Sequence, residues 1–187
     1  MSHRLPTMQP FRDGQVKTAS GTIAGPAGRA APSRVRDGER ASALSLAMLR
    51  QSTSALAIDT LGRGLFEITK PVAAWVAELG AQSGLVTLFI RHTSASLLIQ
   101  ENAAPEVRAD LDRFFARLVP DGDPIFRHRD EGFDDMPAHV RSALTAVQLS
   151  IPVAEGRLAL GTWQGVYVWE HRLKPHRREI ALHFIGD

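Results

Sequence analysis

The stretch Leu85-Val86-Thr87-Leu88-Phe89-Ile90 runs, without a linker, into Arg91-His92-Thr93-Ser94-Ala95-Ser96. A short apolar run that follows a glycine (Gly84) and carries β-branched and aromatic residues reads as a buried strand. Ser96-Leu97-Leu98-Ile99 reads as another strand a few residues later. The chain is therefore committed to a sheet in which one strand end exchanges hydrocarbon for an imidazole and three hydroxyls, with Glu101-Asn102 close behind. Loops held by rigid scaffolds are where binding and catalytic groups concentrate, so this strand end is the first candidate site.

The rest of the pattern surrounds that sheet with helices. Short strands at 55–58 and 64–68 flank a turn at Leu61-Gly62-Arg63. Pro71 suits the first position of a helix through Val72, Trp75, Val76 and Leu79, closed by Gly80. Asn102 is placed to cap a second helix with Pro105 in its first turn. In that helix Val107, Leu111, Phe114 and Leu118 form the apolar stripe, with Asp110 at its edge. A third helix is expected from about 135 to 147, and strands at 148–153, 158–162, 165–171 and 179–185, with Glu155-Gly156 as a hairpin turn. Strands flanking and following clustered helices predict an α+β fold: one domain with a mixed, mostly antiparallel sheet and packed helices.

Charge and composition remove several functions. The chain has no cysteine, which excludes disulfides, thiolate metal sites and cysteine nucleophiles and fits a cytoplasmic address. No apolar stretch approaches the roughly 20 residues that span a bilayer, so no membrane partner is expected. The pI of about 9.5 suggests nucleic acid, but the positive charge is in the wrong place. Of 22 Lys/Arg and 20 Asp/Glu, residues 1–50 hold eight and three, a net of +5. The remaining residues hold 14 and 17, a net of −3, whereas a phosphate-backbone binder concentrates basic groups on its folded surface. Residues 1–47, rich in Arg, Ala, Gly and Pro, have no sustained hydrophobic period and read as a disordered extension before a domain at 48–187.

Four groups of side chains carry chemistry. His92 with Thr93, Ser94 and Ser96 can hold an anion or supply a proton, and Glu101 can act as a base or bind a metal; the bland alternative is a polar connection between strands. Asp135 and His139 are four residues apart on one helix face, and His128 precedes them across a loop. Two imidazoles and a carboxylate suffice for a divalent ion with an open coordination position, unless Asp135 merely caps its helix. Gly161-Thr162-Trp163-Gln164-Gly165 presents an indole for stacking and an amide for edge recognition, or else a packed tryptophan beside a bulge. Arg177-Arg178 can clamp a phosphate.

Taken jointly, His92-Thr93-Ser94-Ala95-Ser96-Leu97, Asp134-Asp135-Met136-Pro137-Ala138-His139 and Gly161-Thr162-Trp163-Gln164-Gly165 resemble the YjbQ-like family. Glu101-Asn102, His128, Glu131-Gly132, Ile151-Pro152-Val153 and Glu170-His171 extend the likeness over about residues 48–187. The resemblance implies a homotrimer with a polar site near a subunit interface, drawing on His92, Glu101, His128, Asp135, His139, Trp163 and Gln164. It also implies a divalent metal ion, Zn²⁺ or Mg²⁺. The family is often described as secondary thiamine-phosphate synthases, which join a hydroxymethylpyrimidine diphosphate to a thiazole phosphate.

On that reading His92, Glu101, Thr93 and Ser94 are catalytic. Trp163, Gln164, Asp110 and Arg177 bind a phosphorylated small-molecule substrate, and His128, Asp135 and His139 hold the metal, with His92 able to replace one of the three. The alternatives are a metal-dependent hydrolase or lyase of a small phosphorylated or carbonyl compound, and a trimeric small-ligand binding protein. Two departures stand out: Ala146 and Gln148 replace a glycine and a small polar residue after the third helix, and Lys174-Pro175-His176 replaces a glycine-rich turn. The first costs on the order of 1 kcal/mol if φ there is positive. The second puts the reach of Arg177 in doubt.

Overall fold

The computed structural model describes residues 49–187, so the expectation for residues 1–47 lies outside the described residues. In chain order the elements are β1 (Arg50–Thr60), β2 (Gly64–Glu67), α1 (Thr69–Leu79), β3 (Ser83–Ile90), β4 (Ala95–Glu101), α2 (Pro105–Leu118), α3 (Asp135–Leu144), β5 (Gln148–Ala154), β6 (Arg157–Leu158), β7 (Gln164–Glu170) and β8 (His176–Gly186). They form an antiparallel five-stranded sheet, β1-β8-β3-β5-β6, and an antiparallel three-stranded sheet, β2-β7-β4. The α+β architecture matches the sequence expectation.

Alternation along β8 explains the central position of that strand. Arg178, Ile180, Leu182 and Phe184 are buried, and the intervening side chains lie on the other face. The buried side joins Val86, Leu88 and Ile90 of β3 to Val166 and Val168 of β7 and to Val72 and Val76 of α1 in one apolar cluster. Helix α1 ends as its sequence requires, at Gly80 in the left-handed conformation with φ of 63°. Glu155 and Gly156 both have positive φ, as a two-residue hairpin turn between β5 and β6 demands.

The chain crosses between the two sheets three times at one end of the molecule. Residues 61–63 join β1 to β2, residues 91–94 join β3 to β4, and residues 171–175 join β7 to β8. The register brings the crossings together: Gly64 and Ala95 both face Glu170, and Thr60 faces His176. Gly62 shows how closely they touch. A Cβ there would lie 2.5 Å from the Leu173 carbonyl oxygen, and φ is +125°, so only glycine fits.

Several local expectations are corrected. The strands around Leu61-Gly62-Arg63 extend further at β1 than the expected 55–58 and belong to different sheets. β6 covers only Arg157–Leu158 because the chain then turns away toward Gly161. The α2 N-cap is Ala104, without a side-chain cap bond, while the Asn102 amide donates to the Trp163 carbonyl at 3.0 Å. That helix is also rotated from the expected stripe. Phe115 meets Trp169 edge-on at 4.8 Å and Asp112 accepts the Trp169 indole N–H at 2.6 Å, which leaves Phe114 and Leu118 exposed. α3 ends at Leu144 with Thr145 extended, and Ala146 has no positive φ, so the missing glycine carries no penalty.

Candidate metal and anion site

The site is built where the three crossings converge. Behind the 91–94 connection lies a buried ion pair: Arg178 donates from Nε and Nη2 to both oxygens of Glu170, at 2.6 Å each. Thr60 Oγ1 and the Arg172 amide also donate to Glu170. Burial alone would push the Glu170 carboxyl up, but the Arg178 and Arg172 hydrogen bonds hold it below the usual carboxylate range. A buried charge pair is tolerable only when so fully satisfied.

This pair fixes His92 through Ser94. Arg178 Nη2 donates to Ser94 Oγ at 3.2 Å; that hydroxyl and the Ser94 amide lie 3.1 Å from His92 Nδ1. An Nδ1 that accepts the amide N–H puts the proton of the neutral ring on Nε2. Partial withdrawal from water, and then the Arg178 charge, lower the His92 pKa. His92 in this tautomer is suited to donate from Nε2 to an anionic or carbonyl oxygen.

The metal candidates come together at the start of α3. Asp134 is the residue that caps this helix, without a side-chain cap bond, and its carboxylate instead accepts from Arg172 Nε and the Leu173 amide. Asp135 is therefore free to face inward. It is 2% exposed, with Oδ1 bound by Arg172 Nη1 at 2.6 Å. Asp135 Oδ2 is buried and accepts no hydrogen bond: His128 Nε2 is 2.8 Å away, but without the alignment of an N–H···O bond. His139 Nε2 lies 3.6 Å from Oδ1, and one donor atom from each of the three residues falls within 4.8 Å of the others.

The donor set fits a cation. His139 Nδ1 lies 3.0 Å from the Thr93 carbonyl and donates to it, which leaves the Nε2 lone pair free, the usual orientation of a metal-binding imidazole. Glu131, Asp134 and Asp135 surround the single Arg172 guanidinium, so negative charge is in excess. Two imidazoles and a carboxylate suit Zn²⁺ or another transition ion better than Mg²⁺, which prefers oxygen ligands. A cavity of about 300 Å³ lies against His92, Thr93, His128, Asp135, His139 and His176.

The remaining sequence candidates are elsewhere. Ala95 faces Glu170 at the cluster end of β4, whereas Glu101 faces Gln164 at the other end. Six residues of strand separate Ala95 from Glu101 by about 20 Å. Gln164 Oε1 accepts the Gly161 amide at 2.8 Å and closes its own turn, and Trp163 is 64% exposed beside it. Asp110 pairs with Arg113 on the exposed face of α2, and Arg177 pairs with Asp59 on the outer face of β8. Arg178 is the inward member of the Arg177-Arg178 pair. Arg172, His176 and Glu170 belong to the site although spacing alone assigns them no role. Alternation at the start of β8 puts His176 on one side with Arg178, whereas Arg172 lies in the 171–175 crossing, where no period marks it.

Comparison with known proteins gives the family. Residues 54–187 match the family model described as UPF0047 protein YjbQ-like. A UPF0047 protein of Synechocystis sp. is 52% identical over 143 residues, covering 76% of this chain and 97% of the relative. The UPF0047 protein YjbQ of Salmonella typhimurium is 43% identical over 126 residues, covering 67% and 91%. Among solved structures, a conserved hypothetical protein of Thermus thermophilus superposes with a TM-score of 0.62 at 38% identity, covering 69% of this chain and 97% of that one. A Sulfolobus solfataricus protein of unknown function gives 0.69 at 20% identity, covering 75% and 100%, which supports the fold alone. The chain belongs to the YjbQ-like UPF0047 family.

Proposed function

We propose that this chain is a metal-dependent enzyme that holds one divalent transition-metal ion at His128, Asp135 and His139 and acts, as a hydrolase or lyase, on a small phosphorylated or carbonyl compound in the cytoplasm. The observation that carries the reading is Asp135 Oδ2, a buried oxygen that accepts no hydrogen bond and lies 2.8 Å from His128 Nε2, with His139 Nε2 3.6 Å from the other oxygen of the same carboxylate. When bound, such an ion polarises a phosphoryl or carbonyl oxygen and acidifies water. Arg172 orients Asp135 and the Thr93 carbonyl orients His139, so the donors need little rearrangement. His92 lines the same cavity and would present its Nε2 proton to a substrate oxygen there, with Ser94 keeping that tautomer in place.

A second reading is the thiamine-phosphate condensation, a group transfer that releases diphosphate. It needs a stacking surface for the pyrimidine, and the exposed Trp163 supplies one only if a second copy brings its Glu101–Gln164 edge to this cluster, as in a homotrimer. The experiment is turnover by the metal-loaded chain on a panel of phosphate esters, aldehydes and the two thiamine precursors, with Asp135→Asn as control. Turnover lost in Asp135→Asn supports the metal enzyme, and product formed only from the two precursors selects the condensation. No turnover with any of them, beside ligand-dependent thermal stabilisation, contradicts the enzyme and leaves a binding protein.

A further inference from the structure

We infer that the natural ligand of this site is amphiphilic: a polar head at the His92–His139 cluster carries an apolar, ring-sized body that lies in a second groove beside it. The inference rests on the proposed site for the position of the head and adds the chemical class of the rest of the molecule. The groove encloses about 510 Å³, within the range of small-molecule sites, and shares His92, Thr93 and His139 with the polar cavity. One occupant can therefore span both.

The chemistry of the groove is asymmetric along its length. Its far part is made by Phe89 and Ile90 at the end of β3, Ala143 on α3, and Val147, whose carbonyl accepts the Ile90 amide at 3.0 Å. Phe89 is 46% exposed and Val147 37%, so hydrocarbon faces solvent there. Ser142 also borders the groove, but its hydroxyl donates to the Ala95 carbonyl at 3.0 Å and is already engaged. Arg91 on the rim is paired with Glu179. Uncommitted polar groups are thus confined to the end formed by His92, Thr93 and His139. A wholly polar ligand, such as a sugar phosphate, would gain nothing by covering Phe89 and Val147, whereas an apolar body removes their exposed hydrocarbon from water.

The test uses the full chain, with and without one equivalent of Zn²⁺, and three probes: inorganic phosphate, glycerol 3-phosphate and phenyl phosphate. With Zn²⁺ bound, phenyl phosphate is expected to bind at least about tenfold more tightly than glycerol 3-phosphate. Ala143→Phe, at an exposed helix position, is expected to erase that advantage while the melting transition persists. Equal affinity for the two esters overturns the inference, as does an advantage that survives Ala143→Phe. If no Zn²⁺ binds, the metal reading fails by itself, and the groove is then read with phenol against glycerol by amide shift mapping. Shifts confined to Phe89, Ala143 and Val147 support the inference, and shifts elsewhere or none overturn it.

Discussion

The two ends of the β4–β7 pair carry residues that look equally reactive in the sequence, and they differ in almost every physical respect. At the Ala95–Glu170 end, side chains are withdrawn from water and over-determined: Glu170 receives four hydrogen bonds, Arg172 engages three acids, and Asp135 has one oxygen fixed and one free. At the Glu101–Gln164 end, Gln164 closes its own turn and Trp163 projects into solvent. The first end holds a buried network of fixed charges, while the second presents an exposed indole, with Arg108 over the Tyr167 ring as its nearby charge. Preorganisation, rather than the presence of histidine, tryptophan or glutamate, separates a site from a surface.

The contrast can be broken at its strongest point by Asp135→Asn, which keeps the side-chain shape and removes a charged donor. Zn²⁺ affinity, followed by calorimetric titration, is expected to fall by about 100-fold or more. A next test opens the ion pair. Glu170→Gln leaves Arg178 buried without its counter-charge and is expected to cost about 3–5 kcal/mol in chemical denaturation. Arg177→Ala, one residue from Arg178 but exposed, is expected to stay within about 0.5 kcal/mol of the parent.

What the sequence shows and what it hides divide along the same line. Helix and strand periods, the Gly80 cap and the Glu155-Gly156 turn are readable because each depends on neighbours in the chain. The His128, Asp135 and His139 grouping is also legible, since helical spacing sets two of its members on one face. What is not legible depends on the sheet crossings. Nothing local says that residues 61–63, 91–94 and 171–175 meet, so Arg172 and His176 stay without a role, and Arg178 reads as half of a phosphate clamp rather than as the partner of Glu170. The family likeness groups Glu101 and Trp163 with His92 near a subunit interface, whereas within one chain about 20 Å of extended backbone separates Glu101 from the Ala95 end of β4. The α2 stripe fails for a related reason: Trp169 draws Phe115 and Asp112 inward, a choice made by a distant strand.

A pH titration sharpens the comparison further. Burial, followed by the charge of Arg141, lowers His171 to about 3, and its ring lies 2.9 Å from the Ser96 hydroxyl in the interior. The neutral form is thus favoured in the folded state, and the unfolded chain binds the proton more readily. The stabilisation is complete above about pH 6.5 and is lost as pH falls toward 3, by about 4 kcal/mol over that window. His171→Gln, monitored by denaturation at several pH values, is expected to flatten this part of the profile. At the opposite end, the smallest effect is expected: Trp163→Ala should change neither stability by more than about 0.5 kcal/mol nor Zn²⁺ affinity. A large loss of Zn²⁺ affinity in that variant would erase the distinction between the two ends.

The central claim is that two imidazoles and one carboxylate of this chain bind a single ion. X-ray absorption at the zinc edge, on the full chain loaded with one equivalent of Zn²⁺, tests it most directly. A four-coordinate ion with two imidazole nitrogens and light oxygen ligands at about 2.0–2.2 Å is expected. An ion surrounded by oxygen alone, or by three or more imidazoles, would contradict it.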